Sequence, residues 1–106
     1  MKVEKLNIQQ LNDKLAKKKE QFVAIFSTSW CGYCRILKKE IEAATLDFTT
    51  VEVDISDERD SNWERFEINL VPTALLFENG KEIARRSPMS GRLSLKDLRE
   101  LVGRRS

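Results

Sequence analysis

The two cysteines of this chain stand three residues apart, in Cys31-Gly32-Tyr33-Cys34, shortly after the apolar run Phe22-Val23-Ala24-Ile25-Phe26. A short continuous apolar run suits a strand buried on both faces, so Gln21–Ser27 reads as that strand. Beyond the cysteines, Ile36, Leu37, Ile41 and Ala44 recur at helical spacing. The pair therefore falls at a strand-to-helix junction. If Cys31 opens the helix, Cys34 shares its face, with Cβ atoms about 5–6 Å apart. A small backbone adjustment then reaches disulfide geometry. The unpaired N–H groups of a first helical turn and the positive end of the dipole favour a thiolate there. Lowering a thiol pKa from about 8.5 to about 7 takes the thiolate share at neutral pH from a few per cent to about half. The thiolate is the form that attacks a disulfide. The expected chemistry is a dithiol couple in which Cys31 attacks and Cys34 displaces the product. Trp30, Gly32 and Tyr33 would give the attacking sulfur an apolar, uncharged rim suited to a polypeptide.

Composition narrows the alternatives. Histidine is absent, which removes Ser-His, Cys-His and His-ligated metal sites together. A tetrahedral zinc site needs four ligands, so two cysteines in one chain argue for no metal, although a cluster shared between two chains stays open. As a structural staple the pair would contribute only about 2 kcal/mol, because the loop it closes is so short. Two inert thiols are the remaining plain reading, and the placement of the motif argues against it.

A length of 106 residues predicts one domain over 1–106. Lys and Arg number 19 against 17 Asp and Glu, a net +2 that gives no reason to expect nucleic acid. The start, Met1-Lys2-Val3-Glu4-Lys5-Leu6-Asn7, has no apolar signal region. The longest apolar run is five residues, far below the roughly 18 that span a membrane. An unprocessed cytoplasmic protein with no membrane association is expected.

Ile8, Leu11, Leu15 and Ala16 predict an amphipathic helix over about Ile8–Lys19, with Lys17-Lys18-Lys19 as a solvated basic end. Thr49–Asp54 alternates Val51 and Val53 with Thr50, Glu52 and Asp54, as a strand does. Trp63, Phe66 and Ile68 suggest a short helix in Ser61–Ile68. Thr73–Phe77 and Ile83–Arg85 flank Glu78-Asn79-Gly80-Lys81, where Asn-Gly signals a type I′ hairpin. Ser94-Leu95-Lys96-Asp97 resembles a capping box ahead of Leu98, Leu101 and Val102. Alternation ending in a hairpin implies a mixed sheet covered by helices on both faces.

Two stretches carry a family likeness. Phe22–Cys34, ending Ser27-Thr28-Ser29-Trp30-Cys31-Gly32-Tyr33-Cys34, resembles the thioredoxin family's strand followed by W-C-G-P-C. Val71-Pro72-Thr73-Ala74-Leu75-Leu76-Phe77-Glu78-Asn79-Gly80 resembles its P-T-x-x-x-F-x-x-G hairpin. The resemblance implies an α/β thioredoxin fold, with a first strand near Val3–Leu6. It implies a protein-disulfide reductase that needs no cofactor beyond its own Cys31–Cys34 disulfide. Its partners would be disulfide-containing client proteins and a separate reductase or low-molecular-weight thiol, and it would act as a monomer. In the family the proline matching Pro72 is cis and faces the cysteines, so Val71 and Pro72 become docking residues. On base rates alone an X–Pro bond in a folded protein is trans.

The departures from that pattern are specific. Tyr33 replaces the proline before the second cysteine, and C-G-Y-C also occurs in disulfide isomerases. A disulfide isomerase, an oxidant, or a thioredoxin-fold binding module with little turnover therefore stays open. Ile25 replaces the family's buried acid, whose Lys partner aligns with Thr50. Ser27 stands for an aromatic and Lys39 for a helix-kinking proline, and the loop Arg86–Gly91 is longer by about three residues. With no acid beside Cys34, release of the mixed disulfide is expected to be slow, and Ile25→Asp to speed it.

Overall fold

The structure, a computed structural model, describes residues 4–17, 21–88 and 92–103. The elements run β1 (Glu4–Leu6), α1 (Ile8–Lys17), β2 (Gln21–Ser27), α2 (Gly32–Ala43), β3 (Thr49–Asp54), α3 (Asn62–Arg65), β4 (Thr73–Glu78), β5 (Lys81–Arg86) and α4 (Leu95–Gly103). The strands form one sheet in the order β1-β3-β2-β4-β5. β1 and β2 both run parallel to β3, while β4 is antiparallel to β2 and to β5. β2 is thus the central strand and the place where parallel pairing gives way to antiparallel. Its C-terminal end leads directly into the cysteine motif.

The alternation of β2 decides how the layers assemble. Phe22, Ala24 and Phe26 join Leu11 of α1, with Val51, Val53 and Phe77 from the flanking strands, in one core. Val23 and Ile25 face the other way, onto Leu37 and Ile41 of α2 and Leu98 and Leu101 of α4. A strand covered on both faces has to be apolar at every position, and Phe22 to Phe26 are all buried. The stacked rings of Phe22 and Phe77 sit 5.3 Å apart, and Phe66 meets Phe26 and Phe77. The hairpin turn carries φ of 55° at Asn79 and 80° at Gly80, the positive values that a type I′ turn requires. Ser94 and Asp97 form a reciprocal cap at the start of α4. The Ser94 N–H donates to Asp97 Oδ2 at 2.8 Å, and the Asp97 N–H donates to Ser94 Oγ at 3.4 Å.

Two sequence expectations change in extent. The segment Ser61–Ile68 is helical only over Asn62–Arg65, because Glu67 turns to a φ of 52° and the helix closes before it. The first strand occupies Glu4–Leu6 and pairs with Val51–Val53. Val3, Lys18 and Lys19, and residues 89–91 of the loop after β5, lie outside the described residues. Lys39 lies inside α2, which runs without interruption from Gly32 to Ala43. Among the described residues, no helix is long and apolar enough to cross a membrane.

Candidate active site

Cys31 is the N-cap of α2, with extended backbone angles (φ −100°, ψ 115°). A cap residue in this conformation turns its side chain back over the open N–H groups of the first turn. The Cys34 N–H donates to Cys31 Sγ at 3.2 Å, the bond that a serine or aspartate oxygen makes at an ordinary cap. The helix start thus places a backbone donor where negative charge on sulfur develops. Both cysteines are thiols in this structure, Cys31 8% exposed and Cys34 5%.

The two sulfurs are not equivalent. Burial first, and then the hydrogen bond to Cys31, push the Cys34 thiol up from its ordinary 9.0 to about 12. The Thr28 N–H pulls the other way, while charge on Cys31 and on Glu52 adds to the rise. Cys34 therefore holds its proton and offers it to Cys31.

The loop before β4 completes the outer side. The Val71–Pro72 peptide bond is cis, and the Val71 carbonyl lies 3.7 Å from Cys31 Sγ. Pro72 is buried and Val71 half-buried. Around them Trp30 is 58% exposed and Tyr33 57%, with Gly32 exposed between the sulfurs. Trp30 is held by its Nε1–H, which donates to the Ser56 carbonyl at 3.2 Å. All the residues singled out from the sequence (Trp30, Cys31, Gly32, Tyr33, Cys34, Val71 and Pro72) thus come from the two motif segments that meet here. Just outside those segments, Ile36 and Leu70 are exposed apolar side chains, at 43% and 52%. Leu70 directly precedes Val71 and Pro72, which was its one sequence signal.

The thioredoxin family's sequence model matches residues 2–103. The chain belongs to the thioredoxin family. It is 32% identical over 89 residues to a thioredoxin of Mycoplasmoides gallisepticum, an alignment spanning 81% of this chain and 88% of that protein. A thioredoxin of Chlamydia pneumoniae is 39% identical over 62 residues, 57% of this chain and 61% of that one. The X-ray structure of Fasciola hepatica thioredoxin superposes with a TM-score of 0.78 at 23% identity, covering 98% of this chain and 100% of that chain. At that identity the last likeness bears on the fold alone. The thioredoxin relatives and fold make the chain a thiol–disulfide oxidoreductase and a protein-disulfide reductase, and Cys31 and Cys34 supply its CxxC couple.

The inner side is where the chain departs from the thioredoxin pattern, and here the structure overturns one expectation. Thr50 is not across from residue 25; it pairs with Val23, and the residue opposite Ile25 is Glu52. In parallel pairing, opposed residues share a face of the sheet, so Glu52 stands beside Ile25 on the side of the sheet that α2 covers. A cavity of about 10 Å³, lined by Ile25, Ser27, Cys34, Leu37, Lys38, Ile41 and Glu52, joins the acid to the inner sulfur. An acid does therefore stand beside Cys34. Ser27, in the family's aromatic position, donates from Oγ to Glu52 Oε2 at 2.9 Å. Lys38 Nζ of α2 stands 3.5 Å from Oε1. Sequence reading missed Glu52 because Val51 and Val53 alternate with polar residues, as in a strand with one wet face. Both faces of β3 are in fact covered: Thr50 is buried, and the Glu52 side chain is only 15% exposed.

Proposed function

We propose that Cys31 is the attacking thiolate and Cys34 the resolving thiol of this reductase. The observation that carries the assignment is the Cys34 N–H directed at Cys31 Sγ at 3.2 Å, on the sulfur that faces the client side. The Cys31 thiolate attacks one sulfur of the client disulfide, forming a mixed disulfide and releasing the other client sulfur as a thiolate that takes up a proton. Cys34 then loses its proton and attacks Cys31 Sγ, which frees the second client thiol and leaves a Cys31–Cys34 disulfide. Two electrons pass to the client.

Trp30, Gly32, Tyr33, Val71 and Pro72 form the docking surface for the client backbone and its apolar side chains. The couple is reset by a separate reductase or a low-molecular-weight thiol, since the sequence carries no Gly-rich nucleotide motif of its own. No cofactor is required beyond the Cys31–Cys34 disulfide, and no nucleic acid, membrane or second copy takes part: the protein acts as one domain and as a monomer. A cytoplasmic location fits a dithiol placed for exchange, because the thiol pool there keeps such pairs reduced.

The test is covalent capture. Cys34→Ser should accumulate mixed disulfides with client proteins through Cys31, released by dithiothreitol, and Cys31→Ser should accumulate none. Capture by Cys31→Ser and not by Cys34→Ser would reverse the roles.

A further inference from the structure

The inner face of the dithiol holds a group that the reduction scheme above leaves unused. Glu52 is carried into the interior by β3, next to the centre of the sheet. One of its oxygens, Oε2, accepts from Ser27. The other, Oε1, is shielded from solvent and has no hydrogen-bond partner among the described residues. Lys38 Nζ stands at an ion-pair distance of 3.5 Å from it. A buried carboxylate oxygen without a hydrogen bond is costly to keep, and it is also a ready proton acceptor.

We propose that Glu52 is the proton acceptor for Cys34, working across the cavity that the two residues share. That cavity is about the size of one water, and proton transfer through a single water is within the reach of a general base. A wider cleft of about 250 Å³ shares Ser27, Cys34, Lys38 and Glu52 with that cavity and gives the proton a polar way out.

The step balances within the scheme it rests on. In the mixed disulfide, the Cys34 proton passes to Glu52, and the Cys34 thiolate attacks Cys31 Sγ. The bond from Cys31 to the client breaks, and the departing client thiolate takes one proton. Glu52 returns its proton to solvent through the cleft. The charged and titratable groups that line the cleft with Glu52 are Cys34, Arg35 and Lys38 from α2, Lys5 from β1, and Asp54 from β3. Among the described residues, Lys5 is paired with Asp54 at 3.2 Å and Lys38 with Glu52 at 3.5 Å.

The role is separable from that of a mere strut between α2 and β3. Reaction of the reduced protein with 5,5′-dithiobis(2-nitrobenzoate) releases one chromophore as Cys31 attacks and a second as Cys34 resolves. Stopped-flow spectroscopy reads both phases in one trace. Glu52→Gln should slow the second phase near neutral pH by about 10- to 100-fold, and make it climb more steeply with pH than in the parent. The first phase should stay within about threefold. Lys38→Met, which breaks the ion pair and keeps the acid, should slow the second phase by no more than about threefold, and Glu52→Asp should recover part of the loss.

An unchanged second phase in Glu52→Gln overturns the proposal, and so does an equal loss in Lys38→Met. A parallel loss of both phases would mark Glu52 as structural, which also overturns it. A parent protein that shows no second phase at all would instead overturn the assignment of Cys34 as the resolving thiol, so the two failures are distinguishable.

Discussion

On its client side, the dithiol is met mostly by backbone and by apolar surface: the cap of α2, the Val71 carbonyl, and the exposed rings of Trp30 and Tyr33. On its inner side it is met by side chains from three elements, namely Ser27 of β2, Glu52 of β3 and Lys38 of α2. The client side follows the thioredoxin pattern closely, with Tyr33 as its one departure. The inner side departs from the pattern at residues 25 and 27, two positions on one face of β2 that both line the cavity with Glu52. The outer sulfur is met by a main-chain donor at the helix start, and that donor is in place whatever the neighbouring side chains are. Proton handling at the inner sulfur depends on a titratable group within reach, and neighbouring strands can supply that group equally well.

The largest expected effect is the difference in reactivity between the two sulfurs. A rise from 9.0 to about 12 lowers the thiolate share of Cys34 near neutral pH about a thousandfold relative to an ordinary thiol. A short pulse of iodoacetamide on the reduced protein, followed by peptide mass spectrometry, should label Cys31 at least about a hundredfold faster than Cys34. The preference should shrink as pH climbs from 9.0 toward 12. The same shift has a stability consequence whose sign is fixed. The folded state holds the Cys34 proton more tightly than the unfolded chain, so this contribution is complete below 9.0 and is lost as pH rises through about 12. The parent should therefore lose more stability than Cys34→Ala across that window. Equal labelling of both cysteines at neutral pH would erase the distinction between outer and inner sulfur.

How much of this was legible beforehand follows the same division. The buried strand Gln21–Ser27, the helix start at the cysteines, the hairpin at Asn79-Gly80 and the cap at Ser94–Asp97 are local patterns, each set by residues a few positions apart. Their bounds emerged close to those expected. Every residue expected at the client side lies in one of two contiguous segments, so proximity in sequence carried most of the information. Glu52 is 18 residues from Cys34 in the chain. Only the β2–β3 register brings it to the cavity, and an alignment displaced by two residues pointed to Thr50 instead. The usable clue was a glutamate in a strand that the βαβ pattern would bury on both faces.

Ile25→Asp tests whether the inner side has any need of a second acid. Ile25 is 5% exposed and lies directly opposite Glu52, so the substitution buries a carboxylate facing another carboxylate. It should cost about 2–3 kcal/mol, read as a lower urea midpoint. In the folded fraction, resolution by Cys34 should be no faster than in the parent, contrary to the expectation drawn from the family pattern. The comparison sharpens in the double variant Ile25→Asp/Glu52→Gln. There the carboxylate at position 25 is the sole acid on the cavity, and it should restore much of the resolving rate that Glu52→Gln loses. A gain in rate from Ile25→Asp alone would mean that the parent has no effective base.

The smallest effects belong to the client side. Tyr33 and Leu70 are 57% and 52% exposed, so Tyr33→Ser and Leu70→Ser should leave folding stability within about 0.5 kcal/mol. What they remove is apolar surface that a docked polypeptide would cover, worth about 1 kcal/mol each. With insulin as substrate, KM should rise about 3- to 10-fold at nearly constant kcat, because a docked polypeptide covers these side chains equally in the bound and reacting states. A small disulfide, which brings no polypeptide to cover either side chain, should react at about the parent rate with both variants. A fall in kcat, or an equal loss with the small disulfide, would mean that these side chains tune the sulfurs directly. The division between a client side that binds and an inner side that moves protons would then be drawn in the wrong place.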